Sequence, residues 1–346
     1  MIPIIAITAS FEIALFALTI IKNIFKIKCL IMKALLFVEP KKLIFKEMDI
    51  PNINEGWALV KTKYVGICGT DKSIYLGKYQ LKKLPLILGH EVIGIIEKPE
   101  YLKGKVVIPE INFACKLCEY CKSSLYIHCP NRKTLGIDFN GGLSEYFIAP
   151  IEYLHIFSGE ISLGIFVEPL AAILNIFSQY NIKNNYKVLV IGTGNIAYLL
   201  IQVLKYYGIT DVDVLAKRES EKLRKFSKFS NVIFNFKESY YDVVFEVSGN
   251  LENVNLAIKA AKPRGTIHVK STPGNLAEIN LTELVIKEQK ILGTRCGNYE
   301  NFEEAIKMIN QGNIKPELNK IYSFEESIKA FEDSLSNDYL KVAIKF

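Results

Sequence analysis

The clearest change of pattern along this chain comes at Lys187. Four apolar residues, Val188 to Ile191, run into a glycine turn, Gly192-Thr193-Gly194, and an apolar stripe at helical spacing then continues to Gly208. A continuous apolar run bounded by glycine predicts a buried strand, and the shift to a 3.6-residue period predicts the helix after it. Further strands are predicted at 212–216, 232–236, 241–247 and 266–270, separated by helical segments such as 252–261. Strands and helices in alternation build a doubly wound parallel sheet, so the predicted class is α/β. Upstream, Met32-Lys-Ala-Leu-Leu-Phe-Val opens a strand in a β-rich stretch. The chain closes with a predicted helix over 324–335 and a strand over 340–346.

The first thirty-one residues do not follow these patterns. Residues 2–21 are almost wholly apolar, broken by Glu12, and Lys22, Lys26 and Lys28 come after them. A secretory signal carries its positive charge before the apolar stretch, so that assignment fits badly. About twenty apolar residues suffice to span a bilayer, and trailing lysines would then hold the body of the protein in the cytoplasm. The preferred expectation is that translation starts at Met32. Residues 1–31 are then an apolar extension, with a membrane as partner only if that extension is a true anchor.

Composition narrows the class without naming a chemistry. The 346 residues, 50% hydrophobic and 23% charged, suit a soluble cytoplasmic enzyme of about two domains. The net charge of +7 rests on scattered lysines, with no run of interleaved basic and aromatic residues, so no nucleic-acid partner is expected.

The glycine turn carries the first chemical signal. Gly192 permits the tight turn, Gly194 lets the backbone approach a pyrophosphate, and Ala197 stands where the third glycine of G-x-G-x-x-G would pack helix on strand. Thr193, Asn195 and Ile196 complete the loop, whose helix N-terminus faces the anion. An acidic residue after the second strand would accept the adenosine ribose hydroxyls. Ala216 is there instead, and Lys217 and Arg218 follow it, which predicts NADP, with NAD as the alternative. Should that strand end early, Asp213 would take the ribose role.

The second signal is Cys115, Cys118, Cys121 and Cys129, spaced C-x2-C-x2-C-x7-C. Four thiolates close a tetrahedral shell around Zn2+, giving a site that braces a loop and does no chemistry. An iron–sulfur cluster is the nearest rival, since Cys129-Pro130 is how the bacterial cluster run ends, but that run closes with x3. His128 is the alternative to one cysteine ligand. Disulfides would need an oxidising compartment and better placed partners.

Three short motifs flank these signals: Val65-Gly-Ile-Cys68-Gly-Thr70-Asp71, Gly89-His90-Glu91, and Phe166-Val-Glu168-Pro169-Leu170. Singly, each has a bland explanation: a small buried cysteine, a turn histidine, a surface carboxylate. Together with the cysteine lobe and the glycine loop, in this order over 32–346, they resemble the zinc-dependent medium-chain dehydrogenases. That group includes the alcohol, polyol, threonine and glucose dehydrogenases. The resemblance implies a GroES-like β-barrel catalytic domain over 32–163, a Rossmann NAD(P)-binding domain over 164–296, and a return to the catalytic domain over 297–346.

It also implies two zinc ions per chain, one structural and one catalytic. The catalytic ion would lie on Cys68 and His90, with Glu168 as third ligand or as partner of the zinc-bound water; Glu91 would stand behind it or bind directly. Thiolate, imidazole and carboxylate leave an open fourth position, which a catalytic zinc requires. Asp71 would fix the His90 tautomer. The expected reaction moves a hydride between an alcohol, polyol or sugar hydroxyl and NAD(P), with zinc lowering the hydroxyl pKa and Thr70 accepting its proton. Ser271 and Arg295 are carried as cofactor contacts. Lys270-Ser271-Thr272 departs from the small residues that the family has near the nicotinamide. His155 and His268 read as structural residues without partners, and Cys296 as buried. Segments 111–114 and 138–142 do not match the glucose-specific branch, and 131–142 is nearer the general polyol and alcohol pattern. A homo-oligomer, dimer or tetramer, is expected through an edge strand of the nucleotide domain. The alternatives are a zinc-free quinone or enoyl reductase of the same fold, and a non-catalytic nucleotide-binding or redox-sensing protein.

Overall fold

The computed structural model describes residues 31–346 except 273 and 275. The expectations for the N-terminal extension fall outside the described residues, save that Ile31 already belongs to the first strand. Ile31–Glu39 pairs antiparallel with Lys42–Asp49 and with the short Leu86–Ile87. A larger antiparallel sheet runs in the order Leu154–Ile156, Val106–Pro109, Glu91–Lys98, Trp57–Gly66, Val342–Lys345, with Tyr146–Pro150 also on Trp57–Gly66. The final strand therefore sits inside a sheet built mostly by the first half of the chain. Its outer neighbour, Lys320–Ser323, pairs with it in parallel.

The second sheet is wholly parallel. Its order is Asn231–Ile233, Val212–Leu215, Val188–Ile191, Tyr241–Glu246, Ala261–Val269, Lys290–Gly293, the 3-2-1-4-5-6 arrangement in which ligands bind where the strand order reverses. The central strand Val188–Ile191 is buried along its whole length, because helices cover both faces of such a sheet and its strands read as continuous apolar runs. The predicted strand at 232–236 is shorter than expected: it forms the sheet edge over Asn231–Ile233, and Phe234 is already exposed.

Helix Asn195–Tyr206 is buried from Ala197 through Leu204, packed on the central strand and on helix Val167–Gln179. Each fully buried Leu, Ile or Val there contributes about 1.5–3 kcal/mol. Helix Tyr299–Asn310 packs Phe302, Ala305 and Met308 in the same cluster as Leu170, Ile173 and Leu174 of helix Val167–Gln179. The chain rejoins the antiparallel sheet only at Lys320–Ser323. The helix expected over 324–335 begins as a 3-10 turn, Phe324–Glu326, and continues as Ser327–Ser334. Among the described residues one helical stretch, Ile161–Gln179, is long and apolar enough to cross a membrane, and 78% of it is buried inside the protein.

Candidate active site and metal sites

Cys68 is placed by the turn that follows it. Helix Gly69–Tyr75 starts there, and the Asp71 carboxylate accepts a hydrogen bond from the Cys68 backbone N–H at 2.9 Å. This closes a capping box, so the thiol is presented at a helix start. Thr70 is half-buried in the first turn. His90 and Glu91 open the strand Glu91–Lys98, whose first residue pairs with Gly66. A Cβ at Gly66 would stand 2.5 Å from Glu91 Oε2, which is why that strand needs glycine before Ile67-Cys68. Glu168 lies in the first turn of helix Val167–Gln179, where the helix dipole favours a carboxylate and Pro169 costs no hydrogen bond.

These segments converge. His90 is 3% and Asp71 1% exposed, and Glu168 is also buried. Burial pulls the His90 imidazole pKa down, but Asp71, the Cys68 thiol and Glu168 outweigh it, and the imidazole ends well above its ordinary value. Burial likewise raises Glu168 and Asp71, against the pull of His90 on both. His90 Nδ1 and Asp71 Oδ1 stand 3.6 Å apart, and neither has a hydrogen-bond partner among the described residues. Buried polar atoms are nearly always bonded. An orphaned pair beside a thiol and a second carboxylate fits a cation on the far ring nitrogen, which would keep the proton on Nδ1 as a donor to Asp71.

Glu91 is committed elsewhere: its Oε2 accepts from the Lys341 ammonium, and both residues are buried. Lys341 also points at the Ile67 carbonyl, at 3.5 Å. Burial and the neighbouring Lys341 lower Lys72, one helical turn after Cys68, to about 8. Sequence reading missed Lys341, although a lone lysine inside the apolar run 340–344 was a visible signal.

The four-cysteine lobe holds its sulfurs close. Cys118 and Cys121 lie 3.4 Å apart, Cys129 and Cys115 3.4 Å, and Cys118 and Cys129 3.8 Å. Zn–S bonds of about 2.3 Å put the edge of a tetrahedron at about 3.8 Å, so the set fits a zinc and is too wide for disulfides. Backbone N–H groups of Leu117 and Cys118 lower the Cys115 thiol to about 6, whereas burial and neighbouring thiols raise Cys121 to about 12. A divalent cation would remove that conflict by letting all four ionise. Among the described residues, only this set brings three or more ligand atoms all within 4.8 Å of one another; Cys68, His90 and Glu168 are neighbours at a looser spacing.

The glycine loop stands at the carboxyl end of the central strand. Gly192 has φ +130, and a Cβ there would stand 3.1 Å from the Ser248 backbone. A Cβ on Gly194 would meet nothing within 4 Å. That open space lies at the N-terminus of a twelve-residue helix. Both polar atoms of the Asn195 side chain are buried without a partner, and with Thr193 and Ile196 half-buried beside it the loop is a cradle suited to a pyrophosphate. Ala216 is buried at the end of the second strand, and Lys217 and Arg218 are exposed beyond it. Asp213 is taken: it accepts from Asn231 at 3.0 Å and from the Tyr241 hydroxyl at 2.8 Å.

Other placements differ from expectation. Ser271 Oγ accepts from the Gly249 N–H at 2.9 Å. The Arg295 guanidinium reaches to Asn112 Oδ1, at 3.3 Å, across to the antiparallel side. His155 was expected to lack partners, yet it lies between Glu303 and Glu110, with its nitrogens 2.5 and 3.4 Å from their carboxylates. The strand Leu154–Ile156 buries it at its middle position, and the partners come from distant segments. His268 has none, and burial lowers it to about 4. Cys296, expected buried, is half-exposed at a positive φ of 46, because the chain turns there on leaving the sheet.

Known proteins share this fold and domain order. Residues 54–158 match the alcohol dehydrogenase GroES-like domain and 196–311 the zinc-binding dehydrogenase domain. The chain is 25% identical to D-arabitol-phosphate dehydrogenase of Enterococcus avium, covering 88% of this chain and 94% of that one. It is 28% identical to D-arabinitol dehydrogenase 1 of Uromyces fabae, covering 91% and 97%. Its fold superposes on an alcohol dehydrogenase (rspB) of Escherichia coli CFT073 complexed with NADH, with a TM-score of 0.82, 25% identity, and 92% and 100% coverage.

Proposed function

The chain belongs to the zinc-binding medium-chain alcohol dehydrogenase family, and on that premise we propose that it oxidises a polyol hydroxyl with NADP at a zinc held by Cys68, His90 and Glu168. It is an oxidoreductase that transfers a hydride between an alcohol-type substrate and a nicotinamide cofactor. The observation that carries the finer reading is the convergence of a thiol, an imidazole and a carboxylate from three distant segments, with orphaned buried atoms on His90 and Asp71.

Zinc would supply a Lewis acid that lowers the pKa of the substrate hydroxyl, and the nicotinamide the hydride acceptor. The protein does the rest. Asp71 holds the His90 tautomer, and Thr70, two residues past Cys68, accepts the substrate proton. Lys341 balances Glu91, which leaves Glu168 as the carboxylate available to the metal. The cysteine lobe would hold a second, closed zinc that braces its loop.

The preference for NADP is supported by Ala216 with Lys217 and Arg218 beyond it, and by Asp213 having both oxygens engaged. A polyol is supported by the names of the arabitol and arabinitol relatives. An oligomer is supported by the edge strand Lys290–Gly293 and the adjoining Leu281, Val285 and Ile286, all more than 60% exposed, an apolar face of the kind that oligomers cover.

The test is a panel of alcohols, polyols, sugars and amino alcohols with NADP and with NAD, run beside a metal count. Polyol oxidation with two zincs per chain is the expected result. Quinone or enoyl reduction with a single zinc would replace this reading with that of the zinc-free reductases.

A further inference from the structure

Among the described residues Lys270 forms no ion pair, and it stands in the field of Glu168, the carboxylate assigned above to the catalytic metal. It follows strand Ala261–Val269 and extends that strand's pairing, its N–H donating to the Glu246 carbonyl at 3.0 Å. Among the described residues its ammonium is bonded only to neutral oxygens, the Thr294 carbonyl at 3.2 Å and the Thr294 hydroxyl at 3.3 Å. Burial lowers it to about 8, partly offset by Cys296 and Glu168. Arg295, one residue past Thr294, bonds Asn112 Oδ1 and Cys296 Sγ, again with no carboxylate. Glu168 is the carboxylate within reach of Lys270's field, and the proposed zinc would take up its charge.

The cofactor does not need these two cations. Its pyrophosphate belongs at Gly194, after the central strand, and its adenosine end at Lys217 and Arg218, after the neighbouring strand on one side. Lys270 and Arg295 follow the two outermost strands on the other side. That side receives the nicotinamide, which is itself a cation when oxidised. A half-buried cation is stabilised when an anion meets it.

We propose that Lys270, with Arg295 beside it, is a specificity-determining residue that binds an anionic group, a carboxylate or a phosphate, carried by the polyol substrate. The inference rests on the polyol dehydrogenase reading and narrows it to acidic or phosphorylated polyols.

The test compares D-arabitol, D-arabitol 5-phosphate and D-arabinonate with NADP, using the zinc-loaded wild type, Lys270→Met and Lys270→Arg. The wild type should favour one anionic compound over the neutral polyol by about tenfold or more in kcat/KM, as a charge-assisted contact implies. Lys270→Met should cut that ratio about tenfold, and Lys270→Arg should keep most of it. The separate phosphate and carboxylate arms identify the anion. A wild type indifferent to charge, or a Lys270→Met variant in which all three rates fall together, would overturn the proposal and leave the polyol reading standing. If none of the three is oxidised, the polyol reading fails by itself. Calorimetric titration of D-arabinonate and D-arabitol 5-phosphate into the NADPH complex then decides: binding lost in Lys270→Met sustains the anion site, and absent or unchanged binding refutes it.

Discussion

Glu91 and Lys341, 250 positions apart in the chain, form a buried ion pair beside Cys68. The pair joins the last strand to the strand that follows His90, so its loss would be felt in both stability and chemistry. Removing one partner leaves a buried charge unmatched, at a cost of about 3–5 kcal/mol. Lys341→Met should therefore unfold at clearly lower denaturant concentration than the wild type, and adding Glu91→Gln should restore part of the loss. Equal midpoints for wild type and Lys341→Met would contradict this.

Replacing Cys68 with Ser should abolish turnover and release one zinc per chain, while the zinc in the cysteine lobe stays. Replacing Cys121 should instead release the other ion and lower stability, because closed zinc sites contribute folding energy. Metal analysis of the two variants, alone and combined, separates the sites. Full activity in Cys68→Ser would refute the catalytic assignment.

The exposed Lys217 and Arg218 should set the cofactor preference. Changing both to Ala should lower kcat/KM for NADP by about tenfold or more, the usual consequence of losing bonds to a charged phosphate, with a smaller effect on NAD. A wild type that already prefers NAD tenfold would end the case for the phosphate clasp.

His155 makes stability pH-dependent. Burial lowers its pKa, but Glu110 and Glu303 raise it further, so the folded value lies above 6.5. A raised folded pKa means the contribution is full below about 6.5, the unfolded value, and is lost as pH climbs through the folded one. The wild type should thus lose more Tm than His155→Gln when pH rises across that window. Parallel Tm curves for the two proteins would show that the histidine carries none of this dependence.

Charges on the apolar edge should separate the subunits of the expected oligomer. Val285→Glu with Ile286→Glu changes residues that are 72% and 77% exposed, so the fold of one chain should survive. Light scattering should then report a smaller mass than for the wild type. An unchanged mass would place the seam elsewhere.

The parallel sheet, the glycine loop and the cysteine lobe were legible in the chain because each is local. A run such as Val188–Ile191, a turn at Gly192 and four thiols within fifteen residues declare their structure through spacing alone. The boundaries were less legible where packing decides them, as at Asn231–Ile233, where the sheet edge ends the strand early, and at Phe324–Glu326, where the helix opens as a tighter turn. Partners were not legible at all. Nothing near Asp213 announces that Tyr241 and Asn231 occupy its carboxylate, nothing near His155 announces Glu303, and nothing near Lys270 announces that the neutral oxygens of Thr294 meet its ammonium. Local spacing sets which residue types lie on one turn or one face, and that much needs no long-range contact. Whether a buried charge is matched depends on which distant segments the core brings against it, and that is settled only when the sheets and helices close.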